Sequence, residues 1–166
     1  MSEIKTHWPP EGEADASLYY IGRIRTPWTT KRQCPRNAQE SEVICQIELL
    51  PQFQLALRSL DTATHIIVLY WLNQADRDLV VQHPSFDNQA HGTFALRSPN
   101  RPNPIGLSVA RLISINESSL SIRHIDCLDG TPLLDIKPYL PNTDAITDAH
   151  VGWYEQRAWP DRRRSD

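Results

Sequence analysis

No apolar run in the 166-residue chain approaches the roughly 18 residues of a membrane-crossing helix. The longest, residues 66–72, has the length of a strand. Ser2, Glu3 and Lys5 open the chain and nothing hydrophobic precedes Leu18, so no secretory signal is expected and a cytoplasmic location is. Cysteine is scarce. Cys34, Cys45 and Cys127 make no Cys-x-x-Cys pair and no zinc spacing, and an odd count argues against a disulfide framework. Cys45 falls in an apolar alternation and reads as core, and Cys34, in a polar loop, reads as structural rather than reactive. There is no Gly-x-Gly-x-x-Gly after a strand, no P-loop and no Gly-x-Ser-x-Gly elbow. A nucleotide-like cofactor, if bound, is therefore not held by a doubly wound sheet.

Positive charge is not in excess. The net charge is −3, against indiscriminate nucleic-acid binding. Its distribution is uneven, however. Residues 16–39 carry Arg23, Arg25, Lys31, Arg32 and Arg36 with no acid, and residues 88–125 carry four arginines against Glu117 alone. Residues 126–148 then hold five aspartates and one lysine. A fold uniting the two basic stretches would place a positive face on a mildly acidic protein.

With 40% hydrophobic and 22% charged residues the chain has globular composition, enough for one core. Residues 1–16, with Pro9, Pro10 and Gly12, read as a flexible lead-in. Strands are expected over 18–25, over 41–49 with Val43, Cys45, Ile47 and Leu49 on one side, and over 64–71, which looks buried on both sides. A short strand is expected over 91–96, a hairpin over 107–115 and 119–125, and a last strand over 133–136 after an Asp-Gly-Thr turn. Residues 51–60 suit a short helix with Pro51 in its first turn, and 73–89 look irregular. Short strands without β-α-β alternation predict a mostly β fold: a small closed antiparallel β-barrel over 17–141, flanked by one or two helices, then a tail over 142–166.

Two segments can carry chemistry. In GTFALRSPNRPNPIGLS (92–108), three prolines between Ser98 and Pro104 stiffen a loop holding Asn100, Asn103, Arg97 and Arg101. It reads equally as a ligand loop with its entropy reduced before binding or as a Pro-rich connection. In DCLDGTPLLDIKPY (126–139), Asp126, Asp129, Asp135, Lys137 and Tyr139 offer carboxylates, a cation and a ring. Their spacing matches no metal loop and His124 lacks a partner histidine, so no metal is expected.

These motifs resemble the TsaA-like family. The resemblance lies in Arg-Pro-Asn-Pro-Ile-Gly at 101–106 and LDGTPLLDIKPYL at 128–140, supported by YIGRIRTP at 20–27, Cys34-Pro35-Arg36 and ATHIIVLYWLNQ at 63–74. It spans residues 18–141. That family includes a bacterial enzyme that N6-methylates threonylcarbamoyl-adenosine 37 of tRNA. The resemblance implies a β-barrel that binds S-adenosyl-L-methionine and works as a homodimer on the tRNA anticodon loop, without metal or membrane. Carried over by position, Pro35, Arg36 and Asn37 form one wall of the cofactor pocket, and Asn73 and Gln74 another. Asn73 stands where the family often has His. Arg97 lies near the cofactor, Leu107 is an apolar contact, and Arg123, His124, Ile125 and Asp126 line the remaining side. Asp129 and Asp135 are candidates to receive a proton, with Lys137 and Tyr139 positioning the modified base. Trp8, Trp28, Trp153 and Trp159 in the tails and the first loop are candidates to bury against a second copy. The family's tRNA enzyme carries a further C-terminal domain, so RNA contacts are expected to be reduced, replaced by the dimer's basic face, or absent. The alternatives are a non-enzymatic RNA- or nucleotide-binding barrel and a methyltransferase acting on a small molecule.

Overall fold

The computed structural model describes residues 3–7 and 17–155. In chain order the strands are β1 (Ile4–Lys5), β2 (Gly22–Arg25), β3 (Cys45–Leu49), β4 (His65–Trp71), β5 (Leu79–Gln82), β6 (His91–Gly92), β7 (Ile105–Asn116), β8 (Ser119–Arg123) and β9 (Thr131–Pro138). Six of them close a barrel in the order β2-β3-β8-β7-β4-β9, with every neighbouring pair antiparallel. The other three, β1, β5 and β6, form a small separate sheet.

The period-2 pattern closes the barrel. Ile24, Ile47, Ile66, Val68, Leu120, Ile122 and Leu133 point inward and are fully buried. Each contributes about 1.5–3 kcal/mol of burial. Glu117, at φ 53°, makes the tight turn between β7 and β8, and Gly130, at φ 74°, the turn before β9. Pro51–Leu57 and Leu60–Thr62 are 3-10 turns packing Leu57 against the core. Two short α-helices follow the barrel, α1 (Pro141–Asp144) and α2 (Gly152–Glu155).

Antiparallel order puts the two longest connections and the β8–β9 loop at one end. β2, β8 and β4 finish there and β3, β7 and β9 begin there. Segments 26–44, 72–104 and 124–130 therefore gather around that mouth. The opposite end has the 117–118 turn and the 3-10 turns of 50–64.

Several expectations need correction. β4 is buried on one side only, with Ile66, Val68 and Tyr70 inside and Ile67, Leu69 and Trp71 outside. Val43 precedes β3 and is 44% exposed. The helix over 51–60 is 3-10, and the strand over 91–96 is only His91–Gly92 followed by a 3-10 turn, Thr93–Ala95. Residues 73–89 contain β5, whose Leu79 is buried. Within the lead-in, Ile4–Lys5 pairs with β5 and Lys5 bonds Asp78 at 3.1 Å. Trp8 and Trp159 lie outside the described residues.

Candidate functional site

The loop after β8 turns sharply at His124, which takes the left-handed conformation at φ 66°. No glycine supplies that conformation here, so the turn is held by its surroundings. Ile125 and Cys127 go into the core, at 0% and 1% exposure, which throws Asp126 across the barrel mouth. Asp126 Oδ1 accepts from the Tyr70 hydroxyl at 2.7 Å and the Ser108 hydroxyl at 3.3 Å, and those two hydroxyls lie 3.0 Å apart. The Cys34 thiol donates to the Asp126 carbonyl at 2.9 Å, fixing the first loop beneath it. Burial, with the Asp126 charge adding to it, pushes the Tyr70 phenol far above its usual range, so it stays a donor. Burial likewise pushes the Cys34 thiol up to about 11.

Unpaired groups collect beside this network. Arg123 Nε and His124 Nδ1 are buried side-chain atoms without a partner. The rest of these two side chains is directed at Glu42: Arg123 Nη1 bonds its Oε2 at 3.1 Å, and His124 Nε2 lies 4.0 Å from its Oε1. Asp126 Oδ2 accepts no hydrogen bond among the described residues and is not one of the enclosed unpaired atoms. Buried polar atoms left unsatisfied cost about 1–3 kcal/mol each, and residues 123–126 hold two such atoms and one open acceptor.

The other expected cofactor residues lie around β7. The 34–40 loop reaches β7, where Gln39 Nε2 donates to the Val109 carbonyl at 3.1 Å. Pro35, Arg36 and Asn37 therefore run between Asp126 and β7, with Asn37 Oδ1 capping the 3-10 turn Ala38–Glu40. Arg97 is exposed and donates to the Leu107 carbonyl at 3.0 Å. Leu107 is 45% exposed on the outer wall. Asn73 and Gln74 are exposed just past Trp71, which pairs with Ile105 at the start of β7. The structure thus gathers Pro35 to Asn37, Arg97, Leu107 and Arg123 to Asp126, with Asn73 and Gln74 at the edge.

The Pro-rich segment serves as a brace. Arg101 bonds the carbonyls of Ser98, Thr93 and Leu96, and Asn100 Oδ1 accepts from the Asp76 amide. Arg77 bonds the Pro102 carbonyl at 2.8 Å and lies over the Trp71 ring. Of its polar side chains, Arg97 is the one directed at β7.

The candidate catalytic residues do not form one group. Asp129 sits on the mouth beside β2, accepting from the Thr26 amide at 3.1 Å and lying 3.9 Å from Arg25. Asp135 and Lys137 lie down the outer wall, ion-paired at 2.7 Å. Register places Asp135 opposite Leu69, itself opposite Leu107, and Lys137 opposite Ile67, itself opposite Val109. With strands about 4.8 Å apart, Asp135 is roughly 10 Å from Leu107 on the same face. Tyr139 follows β9 next to His65. Tyr70, Ser108 and Glu42 were not anticipated. The only signal for Tyr70 and Ser108 is a hydroxyl at inward positions of otherwise apolar strands, and Glu42, exposed ahead of β3, carries none.

A family model for the N-terminal domain of tRNA-methyltransferase O matches residues 23–145. The chain belongs to the tRNA-methyltransferase O family. The TsaA-like resemblance of the motifs agrees with this. Among relatives in that family, VirR of Rhizobium radiobacter, named a probable S-adenosyl-L-methionine-binding protein, is 42% identical over 137 residues, covering 82% of this chain and 77% of VirR. RcsF of Pseudomonas aeruginosa, named a putative S-adenosylmethionine-dependent methyltransferase, is 38% identical over 141 residues, covering 81% and 59%. A crystal structure of TrmO from Pseudomonas aeruginosa matches with a TM-score of 0.70 at 38% identity, covering 85% of this chain and 62% of that one. The chain thus spans less than two thirds of those two Pseudomonas relatives. The family match takes in the mouth, the β7 wall and the Asp135–Lys137 pair together.

Proposed function

We propose that this chain is an S-adenosyl-L-methionine-dependent methyltransferase that N6-methylates a threonylcarbamoyl-type adenosine at position 37 in the tRNA anticodon loop. The observation that carries the cofactor reading is at the mouth: Asp126 Oδ2 accepts no hydrogen bond among the described residues, and the stretch leading to it holds the unpaired Arg123 Nε and His124 Nδ1. Asp126 Oδ2 can accept from an ammonium, hydroxyl or amino group of such a cofactor, whereas Arg123 Nε and His124 Nδ1 are enclosed and would reach it only after a side-chain rearrangement. Leu107 supplies an apolar contact beside Arg97. When bound, the cofactor supplies an electrophilic methyl group, so the protein needs no covalent intermediate.

The protein's task is then orientation and proton acceptance. Asp135 shares the outer face with Leu107 and Arg97, which supports it over Asp129 as acceptor of the amino proton. Lys137 beside it is 59% exposed and can pair with the carboxylate of the threonylcarbamoyl group. Lys31, Arg32 and Arg36 are exposed in the loop at the same mouth, suited to anticodon-loop phosphates.

Homodimerisation is part of this proposal. Trp28 is buried in its own core and Trp153 stacks on His91 at 4.0 Å, so neither supports it. The outer wall does: Ile105, Leu107 and Ile113 are each more than 40% exposed and Phe94 is 87% exposed. Light scattering should give twice the 19.0 kDa chain mass. A monomer at tens of micromolar would count against the dimer. Among the described residues no helix is long and apolar enough to cross a membrane.

Nucleoside mass spectrometry tests the substrate. tRNA from a deletion strain, incubated with the purified protein and cofactor, should show the threonylcarbamoyl nucleoside heavier by one methylene unit. Salt-dependent tRNA binding with no mass change would favour a non-enzymatic RNA-binding barrel. Label transferred only to a small molecule would favour the remaining alternative.

A further inference from the structure

The mouth network contains two residues that touch no ligand in the reading above yet determine where Asp126 points. Tyr70 is 4% exposed and Ser108 is 3% exposed, one on β4 and the other on β7, both facing into the barrel. Their hydroxyls contact each other and converge on a single carboxylate oxygen, Oδ1. The Tyr70 ring is itself held in place by Gly106, which lies directly opposite it in the β4–β7 register. A Cβ at Gly106 would come within 2.1 Å of Tyr70 Cε2, so the glycine is the space the ring occupies. Thus the glycine of Arg-Pro-Asn-Pro-Ile-Gly seats Tyr70, Tyr70 and Ser108 occupy Oδ1, and Oδ2 accepts no hydrogen bond among the described residues. Cys34 fixes the same residue from its backbone side.

We propose that Tyr70 and Ser108 are positioning residues that orient the Asp126 carboxylate so that Oδ2 receives the cofactor. This rests on the assignment of Asp126 to the cofactor pocket. Without the two hydroxyls the carboxylate can rotate, and the cofactor's donor group meets an acceptor that must first be ordered. A hydrogen bond to a charged group is also among the stronger ones, so its loss is measurable.

Calorimetric titration of the full chain with S-adenosylmethionine tests this, using Y70F, S108A, D126N and the Y70F/D126N double variant. Y70F retains the ring against Gly106 and removes only the hydroxyl. It should weaken binding about tenfold, and S108A about threefold, with cooperative thermal unfolding retained in both. A purely structural role would not predict the double variant's behaviour: in the D126N background, Y70F should cost no further affinity, because the group it orients is already neutralised. Should Y70F fail to fold, S108A with S108A/D126N makes the same cycle. Wild-type affinity in folded Y70F and S108A, or a Y70F loss that adds in full to that of D126N, would overturn the proposal. If D126N loses affinity while Y70F and S108A do not, the cofactor site stands and only the positioning role falls. No binding by the wild-type chain at millimolar cofactor, or unchanged affinity in D126N, would remove the underlying reading as well.

Discussion

At one end of the barrel, β7 and β8 are joined by a tight turn at Glu117, and 3-10 turns lead from β3 to β4 with their amides bonded to local carbonyls. At the other end, the last residue of β8 and segments 26–44, 72–104 and 124–130 carry the unpaired Arg123 and His124 nitrogens and the half-satisfied Asp126, while positive-φ residues occur at both ends, Ser59 and Glu117 at the first and His124 at the second. The same six strands support both ends. The first spends its sequence on closing the core. The second leaves polar groups unsatisfied, which is costly in a resting fold and useful in a binding site. Stability and chemistry are therefore largely separated along the barrel axis, and substitutions at the two ends should differ in kind.

The largest effect is expected where no chemistry is. Leu120 is fully buried and pairs with Ile47 near the end away from the mouth. Leu120→Ala should cost about 3 kcal/mol in denaturant unfolding while cofactor affinity of the folded protein stays unchanged. A large affinity loss there would break the separation. Gly106→Ala should affect both properties, because the added Cβ must displace the Tyr70 ring. About 2 kcal/mol of destabilisation is expected, with cofactor affinity falling several-fold. Destabilisation without an affinity loss would detach the Pro-rich motif from the site.

How far the sequence foretold this depends on which residues face inward. Alternation at Cys45, Ile47 and Leu49, and the Glu117 and Asp129-Gly130 turns, were enough for a closed antiparallel barrel, because period 2 and turn chemistry are local signals. β5 was missed because its Leu-Val-Val sits among Asp76, Arg77 and Asp78, and β1 because it forms only by pairing with β5. The 91–96 segment looked extended but bends at Thr93, whose hydroxyl bonds the Leu79 carbonyl at 2.8 Å. In the site, the motif segments were legible by resemblance, but the work of their side chains was not. Arg101 and Asn100 read equally as ligand-facing or as part of a connection, and they brace the loop, while Tyr70 looked like core and instead holds a carboxylate. Which side of a hydrogen bond a polar group falls on is settled by non-local partners.

Two smaller effects sharpen the comparison within the site. Lys137→Ala should reduce discrimination between threonylcarbamoylated and plain tRNA about fivefold in methyl-transfer assays, with cofactor affinity unchanged. Its exposed pair with Asp135 carries little stability, so unfolding should shift by under about 0.5 kcal/mol. Equal rates on both tRNAs before and after substitution would remove Lys137 from acceptor recognition. The smallest effect concerns Cys34. Its raised pKa, about 11, leaves it as the neutral thiol at pH 7. A thiol reagent should label the native protein negligibly at neutral pH and progressively faster as pH rises toward that value. Rapid labelling at pH 7 would show that the first loop does not hold Cys34 against Asp126.

The central claim is that the mouth around Asp126, rather than the opposite end, receives S-adenosylmethionine. Amide hydrogen exchange with and without saturating cofactor reads both ends in one experiment. Peptides covering 34–37, 97–107 and 123–127 should gain protection, and those covering 50–64 should exchange at unchanged rates. Protection confined to 50–64, or no change anywhere at millimolar cofactor, would contradict the account.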